Sequence, residues 1–76
     1  MRKPELINEL YSISKEIEIA VTENMTQIMF VYCSVSDSDA IADKITEYFC
    51  DDDTAVINTL TDDKKENAVV FLSYEN

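Results

Sequence analysis

The 76-residue sequence contains no glycine, no histidine and no tryptophan, and it has a single proline. Without glycine the backbone cannot approach a phosphate group closely, which excludes phosphate-binding loops of the P-loop and dinucleotide-binding types. The absence of histidine removes the most versatile general base and a common zinc ligand. Turns are therefore expected to form at Asn, Asp, Ser or Pro residues.

Positive charge is scarce as well. Six Lys and Arg residues face 16 Asp and Glu residues, so the net charge is −10. Such a chain repels the phosphates of nucleic acids and anionic membrane surfaces, and it attracts basic proteins. No stretch approaches the ~18 apolar residues that span a bilayer. The N-terminal "MRKPELINEL" also lacks the apolar segment of a signal peptide, so we expect a cytoplasmic location.

The sequence has two cysteines, Cys33 and Cys50. In the reducing cytoplasm cysteines are rarely joined in disulfides. Each of the two follows apolar or aromatic residues, which is typical of packing positions. We therefore predict that both thiols are free, buried and slow to react.

Apolar residues make up 46% of the chain, enough to fold residues 1–76 as one acidic domain with one core. Residues spaced three and four apart predict amphipathic helices, and alternating residues predict strands. The predicted elements are a helix over 4–15, strands near 17–21 and over 27–35, a helix over 36–49, and strands over 54–60 and 67–74.

This order predicts a small α+β domain of the form αββαββ, with a mostly antiparallel four-stranded sheet and two helices on one face. The strand over 27–35 has apolar residues at both even and odd positions, so both of its faces are apolar. This is typical of a strand that is central or covered on both sides. Strands two and three could be parallel or antiparallel neighbours. A core of this size is small, so the oligomeric state stays open between a monomer and a homodimer.

Two local features complete the predicted architecture. Ser36 followed by Asp39 resembles a capping box at the start of the second helix. The short turn over residues 23–26 contains Asn24, the residue there best suited to a positive φ.

The acidic residues are concentrated in one part of the sequence. Residues 16–53 hold ten carboxylates and one base, Lys44, which gives −9 of the total −10. A simple solvated surface usually mixes the two signs of charge. We therefore predict that these acids bind a partner: Glu16, Glu18, Glu23, Asp37, Asp39, Asp43, Glu47, Asp51, Asp52 and Asp53.

Several of these acids occupy unfavourable positions. Asp39, Asp43 and Glu47 recur every four residues and Asp51 continues the row, which spans about 18 Å at a rise of ~1.5 Å per residue. Like charges at this spacing repel each other. Asp51–Asp53 follow the predicted helix end, where the helix dipole disfavours negative charge. Acidic residues at positions that cost stability in this way indicate a function. The alternative interpretation is that the helix end frays into a solvated acidic loop without a binding role.

Catalysis and metal binding find no support in the sequence. Asp37 and Asp39 begin like a calcium loop, but Ile41 occupies a ligand position and no glycine makes the turn. Two cysteines without histidine or a CxxC spacing do not form a zinc site. No nucleophile accompanies a base. We expect no enzymatic activity, no metal and no cofactor.

Most aromatic residues are expected in the core, and Tyr32, Tyr48 and Tyr74 are candidates for an interface rim.

Residues 4–50 carry a family resemblance. The segments "PELINELYSI", "EIEIAV", "TQIMFVY" and "DSDAIADKITEYF" together resemble small acidic phage-encoded anti-CRISPR inhibitors that mimic DNA. The chain departs from that pattern after Cys50, where a β-hairpin replaces an acidic helical tail, and it lacks a glycine-containing acidic turn between strands. The resemblance implies an inhibitor that acts in the host-cell cytoplasm.

The charge pattern and the resemblance lead to one principal hypothesis: the protein binds the basic nucleic-acid-binding surface of a host defence or DNA-processing protein, and it binds neither nucleic acid nor membrane directly. An immunity or antitoxin protein that covers the basic site of a toxic enzyme is one alternative. A non-catalytic adaptor subunit, whose charge mainly provides solubility, is another.

Overall fold

The computed structural model describes residues 3–22 and 26–75. Its elements are α1 (Lys3–Ile13), β1 (Glu18–Thr22), β2 (Thr26–Ser34), α2 (Val35–Tyr48), β3 (Val56–Thr61) and β4 (Asn67–Glu75). The α+β class and the order αββαββ are confirmed. Asn24, the residue predicted to take a positive φ between the first two strands, lies outside the described residues.

The four strands form one antiparallel sheet in the order β1-β2-β4-β3. Strands β2 and β3 are therefore not neighbours, because β4 lies between them and pairs with both. Since each pairing is antiparallel, β2 and β3 run in the same direction, and α2 connects them as a split βαβ unit. The sequence left this strand order open.

Both helices pack on the same face of the sheet, as predicted. Leu6 and Leu10 of α1 and Ile41 and Ile45 of α2 are fully buried. They form one core with alternate residues of the strands, which include Met29, Val31, Val70 and Leu72. The register explains this grouping, since Val31 pairs with Val70 and Met29 with Leu72, so all four side chains point to one face.

Helix α2 begins earlier than the predicted capping box. Ser34 is the N-cap, and its Oγ accepts a hydrogen bond from the Asp37 N–H at 3.3 Å. The Val35 N–H donates to the Glu66 carbonyl at 3.0 Å. The placement of the cap at Ser36 is therefore wrong, because the chain passes directly from strand to helix where Ser34 pairs with Asn67.

The β3–β4 turn uses a lysine where glycine is the usual residue. Lys65 has a φ of 57°, and it is the one positive φ among the described residues. Its N–H donates to the Asp62 carbonyl at 3.1 Å, and the Asp62 carboxylate accepts the Glu66 N–H at 2.9 Å. The expectation that only Asn, Asp, Ser or Pro would form turns is thus wrong at Lys65. The hydrogen bond from the Glu66 backbone is the main cause of the lowered pKa of Asp62.

The two cysteines occupy different environments. Both are free, but Cys33 is buried and Cys50 is exposed. The prediction that both are buried is therefore wrong for Cys50, which lies just after the last residue of α2 on the solvent side. Burial, reinforced by the nearby Asp37 carboxylate, raises the pKa of the Cys33 thiol.

Tyr74 belongs to the core and not to an interface rim. Its hydroxyl donates to the Oε1 of buried Gln27, and its ring centroid lies 4.6 Å from that of Phe49. Burial is the main cause of the raised pKa of Tyr74. The contact with Phe49 attaches the end of α2 to the last strand.

Candidate functional site

The two helices run antiparallel and bring acidic residues of both together. Lys44 Nζ lies 3.5 Å from Glu9 Oε2 and 3.1 Å from Glu47 Oε2, so the middle of α1 faces the second half of α2. At the other end of this cleft, Glu5 and Asp51 line the same depression. The N-terminus of α1 is thus beside the C-terminus of α2.

We call the exposed carboxylates of the two helices, together with Asp51 in the turn after α2, the helical acidic surface. All its members are exposed, because Leu6, Leu10, Ile41 and Ile45 fix the opposite sides of the two helices in the core. The helical acidic surface consists of Glu5, Glu9, Asp39, Asp43, Glu47 and Asp51.

The single lysine of this surface is held by its acidic neighbours. A hydrogen bond from Lys44 to Glu47, with the charges of Glu47 and Glu9, raises the pKa of Lys44. Its positive charge is therefore matched locally, and six carboxylates with one lysine leave −5 on this surface. Tyr48 lies in the same cleft, where burial and a hydrogen bond with Glu9 raise its pKa.

A second group of predicted residues lies at one end of the sheet. Glu16, Glu18 and Asp37 line a groove of about 570 Å³, which we call the end groove, together with Tyr32 and other residues. A fourth carboxylate, Asp62, lines it as well, and among residues 3–22 and 26–75 no lysine, arginine or histidine does. Asp37 is favourably placed for the fold, since it lies in the first turn of α2, where the helix dipole favours negative charge.

Seven of the ten predicted acidic residues thus lie on two separate surfaces. Asp37 and Glu47 are ten residues apart on α2, which corresponds to about 15 Å along the helix axis at ~1.5 Å per residue. Glu16, Glu18 and Asp37 belong to the end groove, whereas Asp39, Asp43, Glu47 and Asp51 belong to the helical acidic surface. Glu23 lies outside the described residues.

The three consecutive aspartates after α2 have separate positions. Asp51 is exposed in the helical acidic surface, and Asp53 is exposed in the connecting loop. Asp52 shapes that loop, because its Oδ1 accepts hydrogen bonds from the Thr54 N–H at 2.9 Å and the Thr54 hydroxyl at 2.6 Å. Its backbone N–H donates to the Phe49 carbonyl at 3.1 Å.

Sequence reasoning missed three acidic residues. Glu5 and Glu9 lie outside the acidic stretch of residues 16–53, although they recur four residues apart on the polar side of the Leu6–Leu10 stripe. That spacing was the signal for a second acidic row on α1. Asp62 joins the end groove only through the strand order, which the sequence did not show.

The face of the sheet opposite the helices mixes apolar residues with Glu18, Thr22, Asn58, Ser73 and Glu75. We call it the open sheet face; its apolar residues are Ala20, Ile28, Phe30, Tyr32, Val56, Leu60, Val69 and Phe71. Phe30 and Phe71 pair across the two central strands, with ring centroids 6.3 Å apart. The prediction that the second strand is central is confirmed, but neither helix covers its second face within residues 3–22 and 26–75.

Other kinds of site find no support in the part of the chain that the structure describes. No three His, Cys, Asp or Glu side chains there are grouped so that they could hold a metal ion. Neither of the described helices is long and apolar enough to cross a membrane. Comparison with protein-family models, curated proteins and solved structures finds no match. The described surfaces can therefore attract cationic groups and bury apolar ones.

Proposed function

We propose that the protein is a small acidic inhibitor, of the phage-encoded anti-CRISPR or DNA-mimic class, that binds the basic nucleic-acid-binding surface of a host defence or DNA-processing protein. The helical acidic surface carries this proposal. Two antiparallel helices and the turn after α2 present six exposed carboxylates there, and Lys44 is paired with Glu9 and Glu47.

The charge density of this surface supports steering by charge more than full imitation of a duplex. Its net charge of −5 is shared by α1, α2 and the turn after α2, and the acidic row from Asp39 to Glu47 spans about 12 Å of α2 at a rise of ~1.5 Å per residue. A B-DNA duplex carries one charge per ~1.7 Å of axis, or about seven over the same length. The three carboxylates of that row therefore give a lower linear charge density than DNA, and additional contacts must complete the affinity.

The carboxylates are held on regular secondary structure. Five of the six lie within α1 and α2, and the core residues Ile41 and Ile45 fix the orientation of α2. A rigid acidic surface loses little conformational entropy when it binds. Complementary charge also accelerates encounter with a basic partner, and this effect decreases as salt screens the charges.

The test is a pull-down from host lysate with three immobilised proteins. The first is the natural chain, and the second carries Asp39→Asn, Asp43→Asn and Asp51→Asn, which leaves Glu47 as the partner of Lys44. The matched control carries Asp63→Asn, Glu66→Gln and Glu75→Gln, three exposed acids outside the helical acidic surface. Each variant has a net charge of −7, because three of the ten net negative charges are removed.

We expect a basic nucleic-acid-binding protein to bind the natural chain and the matched control, and to elute from the first variant at lower salt. Added duplex DNA should displace the captured protein, since both occupy the same basic surface. Equal elution from both variants would show that only net charge matters and would overturn the proposed site. Capture of one toxic enzyme through its catalytic groove would instead identify an immunity protein.

A further inference from the structure

Strand β3 forms one edge of the sheet and leaves its outer side open. It pairs with β4 on one side, and no described strand lies on the other side. Five of its six residues are exposed, with Leu60 at 64% and Val56 at 54%. An edge strand presents a row of unpaired backbone N–H and C=O groups, and such a row can pair with a strand of another chain.

The register identifies the backbone groups that point outward from β3. The Asp62 N–H donates to the Asn67 carbonyl at 3.0 Å, and these two residues continue the β3–β4 register as a hydrogen-bonded pair. In an antiparallel ladder, hydrogen-bonded and non-hydrogen-bonded pairs alternate. The N–H and C=O groups of Ile57, Thr59 and Thr61 therefore point away from β4. Within the part of the chain that the structure describes, no backbone group pairs with them there.

Strand β3 lacks the features that usually protect an edge. Natural edge strands are commonly protected by charged side chains, by proline or by a bulge. Val56–Thr61 contains no charged residue and no proline, four of its six residues are β-branched, and its register with β4 is continuous. The other edge strand, β1, carries Glu18 within its five residues. The β3 edge is thus the more accessible of the two to backbone pairing.

The charge around β3 indicates which kind of strand can pair with it. Asp51–Asp53 precede the strand, and Glu75 lies beside them, because its N–H donates to the Thr54 hydroxyl at 3.0 Å. The turn at the other end of β3 mixes three acids with Lys64 and Lys65. A second copy of this chain brings a further net charge of −10 and is repelled, whereas a strand that ends in basic residues is attracted.

We propose that β3 is the docking edge for an extended segment of a basic partner, which adds a fifth strand antiparallel to β3. The outward backbone groups of Ile57, Thr59 and Thr61 form the ladder, as in other cases of strand addition. Lysine or arginine residues at the C-terminal end of the added segment lie beside the acidic start of β3. The inference goes beyond the proposed function, since Asp51 is the one residue shared with the helical acidic surface.

Titration of the purified protein with a synthetic peptide tests the proposal. The peptide alternates threonine and valine over the length of β3 and ends in a pair of lysines. We expect the amide NMR signals of Ile57, Thr59 and Thr61 to shift, and their N–H groups to exchange more slowly with solvent. The same peptide with glutamates in place of the lysines should bind about tenfold or more weakly at low salt. A peptide with N-methylated backbone amides should not bind, because it has no N–H to donate.

One substitution and a matched control test the backbone pairing from the other side. Thr59→Pro removes an outward N–H and leaves the hydrogen bonds to β4, since proline is tolerated where the N–H of an edge strand faces solvent. It should weaken binding of the lysine peptide by about tenfold, whereas Thr59→Ala keeps the N–H and should bind nearly as the natural chain does. Urea unfolding checks that both variants fold, and the N-methylated peptide tests the same pairing with the natural chain.

The outcomes that would overturn the proposal are distinct from failure of the proposed function, because no lysate protein takes part. Equal binding by the folded Thr59→Pro and Thr59→Ala variants, or by the N-methylated peptide, would exclude backbone pairing. Amide shifts confined to the open sheet face or to the helical acidic surface would place the peptide elsewhere. Equal binding of the lysine and glutamate peptides, or self-association through β3, would exclude a basic partner as the occupant.

Discussion

At the scale of single residues, the three aspartates after α2 separate into two roles. Asp51 adds charge to the helical acidic surface, whereas Asp52 accepts two hydrogen bonds from Thr54 and organises the connection to β3. The sequence shows three identical letters, and helix-dipole reasoning treats them alike. The hydrogen bonds distinguish them, since an aspartate that accepts the N–H two residues later forms a favourable turn.

Replacing these aspartates one at a time should reveal the difference. Asp52→Ala removes the acceptor of both Thr54 hydrogen bonds and should lower the free energy of unfolding by about 1 kcal/mol. Asp52→Asn keeps an Oδ1 acceptor and should cost less. Asp51→Asn and Asp53→Asn should leave stability equal or slightly higher, because repulsion near the helix end is reduced.

Urea unfolding of the four variants is the measurement. An equal loss of stability from Asp51→Asn and Asp52→Ala would contradict the separation of roles, and so would an Asp52→Ala variant as stable as the natural chain.

The two cysteines give a second prediction at this scale. Cys50 is exposed and should react quickly with a maleimide, whereas Cys33 should react slowly. Burial raises the pKa of the Cys33 thiol and reduces its thiolate population, which adds to its poor accessibility. Mass spectrometry should show one label at early times.

Cys50→Ser is the control, since the fast phase should vanish in that variant. Rapid labelling of Cys33 in the folded protein would mean that the junction of β2 and α2 opens readily.

At the scale of elements, the junction between β2 and α2 depends on one side chain. Ser34→Ala removes the oxygen that accepts the Asp37 N–H, and loss of such a cap costs about 0.5–2 kcal/mol. Ser36→Ala is the matched control, because Ser36 bonds to the Ser34 hydroxyl but caps no helical N–H. Thermal melts should show a clearly larger loss for Ser34→Ala, and the reverse order would place the cap at Ser36.

The elements themselves could be predicted because apolar periodicity is a local signal. The spacing of Leu6 and Leu10 and of Ile41 and Ile45 predicts the buried sides of both helices, and these are confirmed. The exact start of α2 could not be predicted, since Ser34 and Ser36 are equally good caps in isolation. The choice depends on where β2 stops pairing with β4.

The strand order and the two acidic surfaces depend on contacts between distant parts of the chain. Nothing local indicates that β4 inserts between β2 and β3, and that insertion brings Asp62 to the groove that contains Glu18. The two-sided apolar pattern of β2 predicted a strand that is central or covered on both sides, and β2 is central, with its second face not covered by a helix within the described residues.

At the scale of the whole molecule, charge opposes the compact state. The fold measures 34 × 24 × 20 Å and carries a net charge of −10. At about 0.01 M salt the Debye length is ~30 Å, so nearly all the carboxylates repel one another, whereas at about 0.15 M it falls to ~8 Å. Unfolding moves these charges apart and relieves the repulsion. The melting temperature should therefore rise with salt.

The position of the charge should matter as well as its amount. The Asp39, Asp43 and Asp51 variant removes the like-charge pairs at i,i+4 in α2, worth about 0.2–0.5 kcal/mol each. The Asp63, Glu66 and Glu75 variant has the same net charge but leaves those pairs in place. At low salt the first should melt several degrees above the natural chain, since ~1 kcal/mol corresponds to ~4–8 °C in a domain of this size.

The melting temperature of the second variant should rise less above that of the natural chain. Added salt should reduce the difference in melting temperature between the two variants. A first variant that melts below the natural chain would mean that these carboxylates stabilise the fold, and their clustering would then need no partner to explain it.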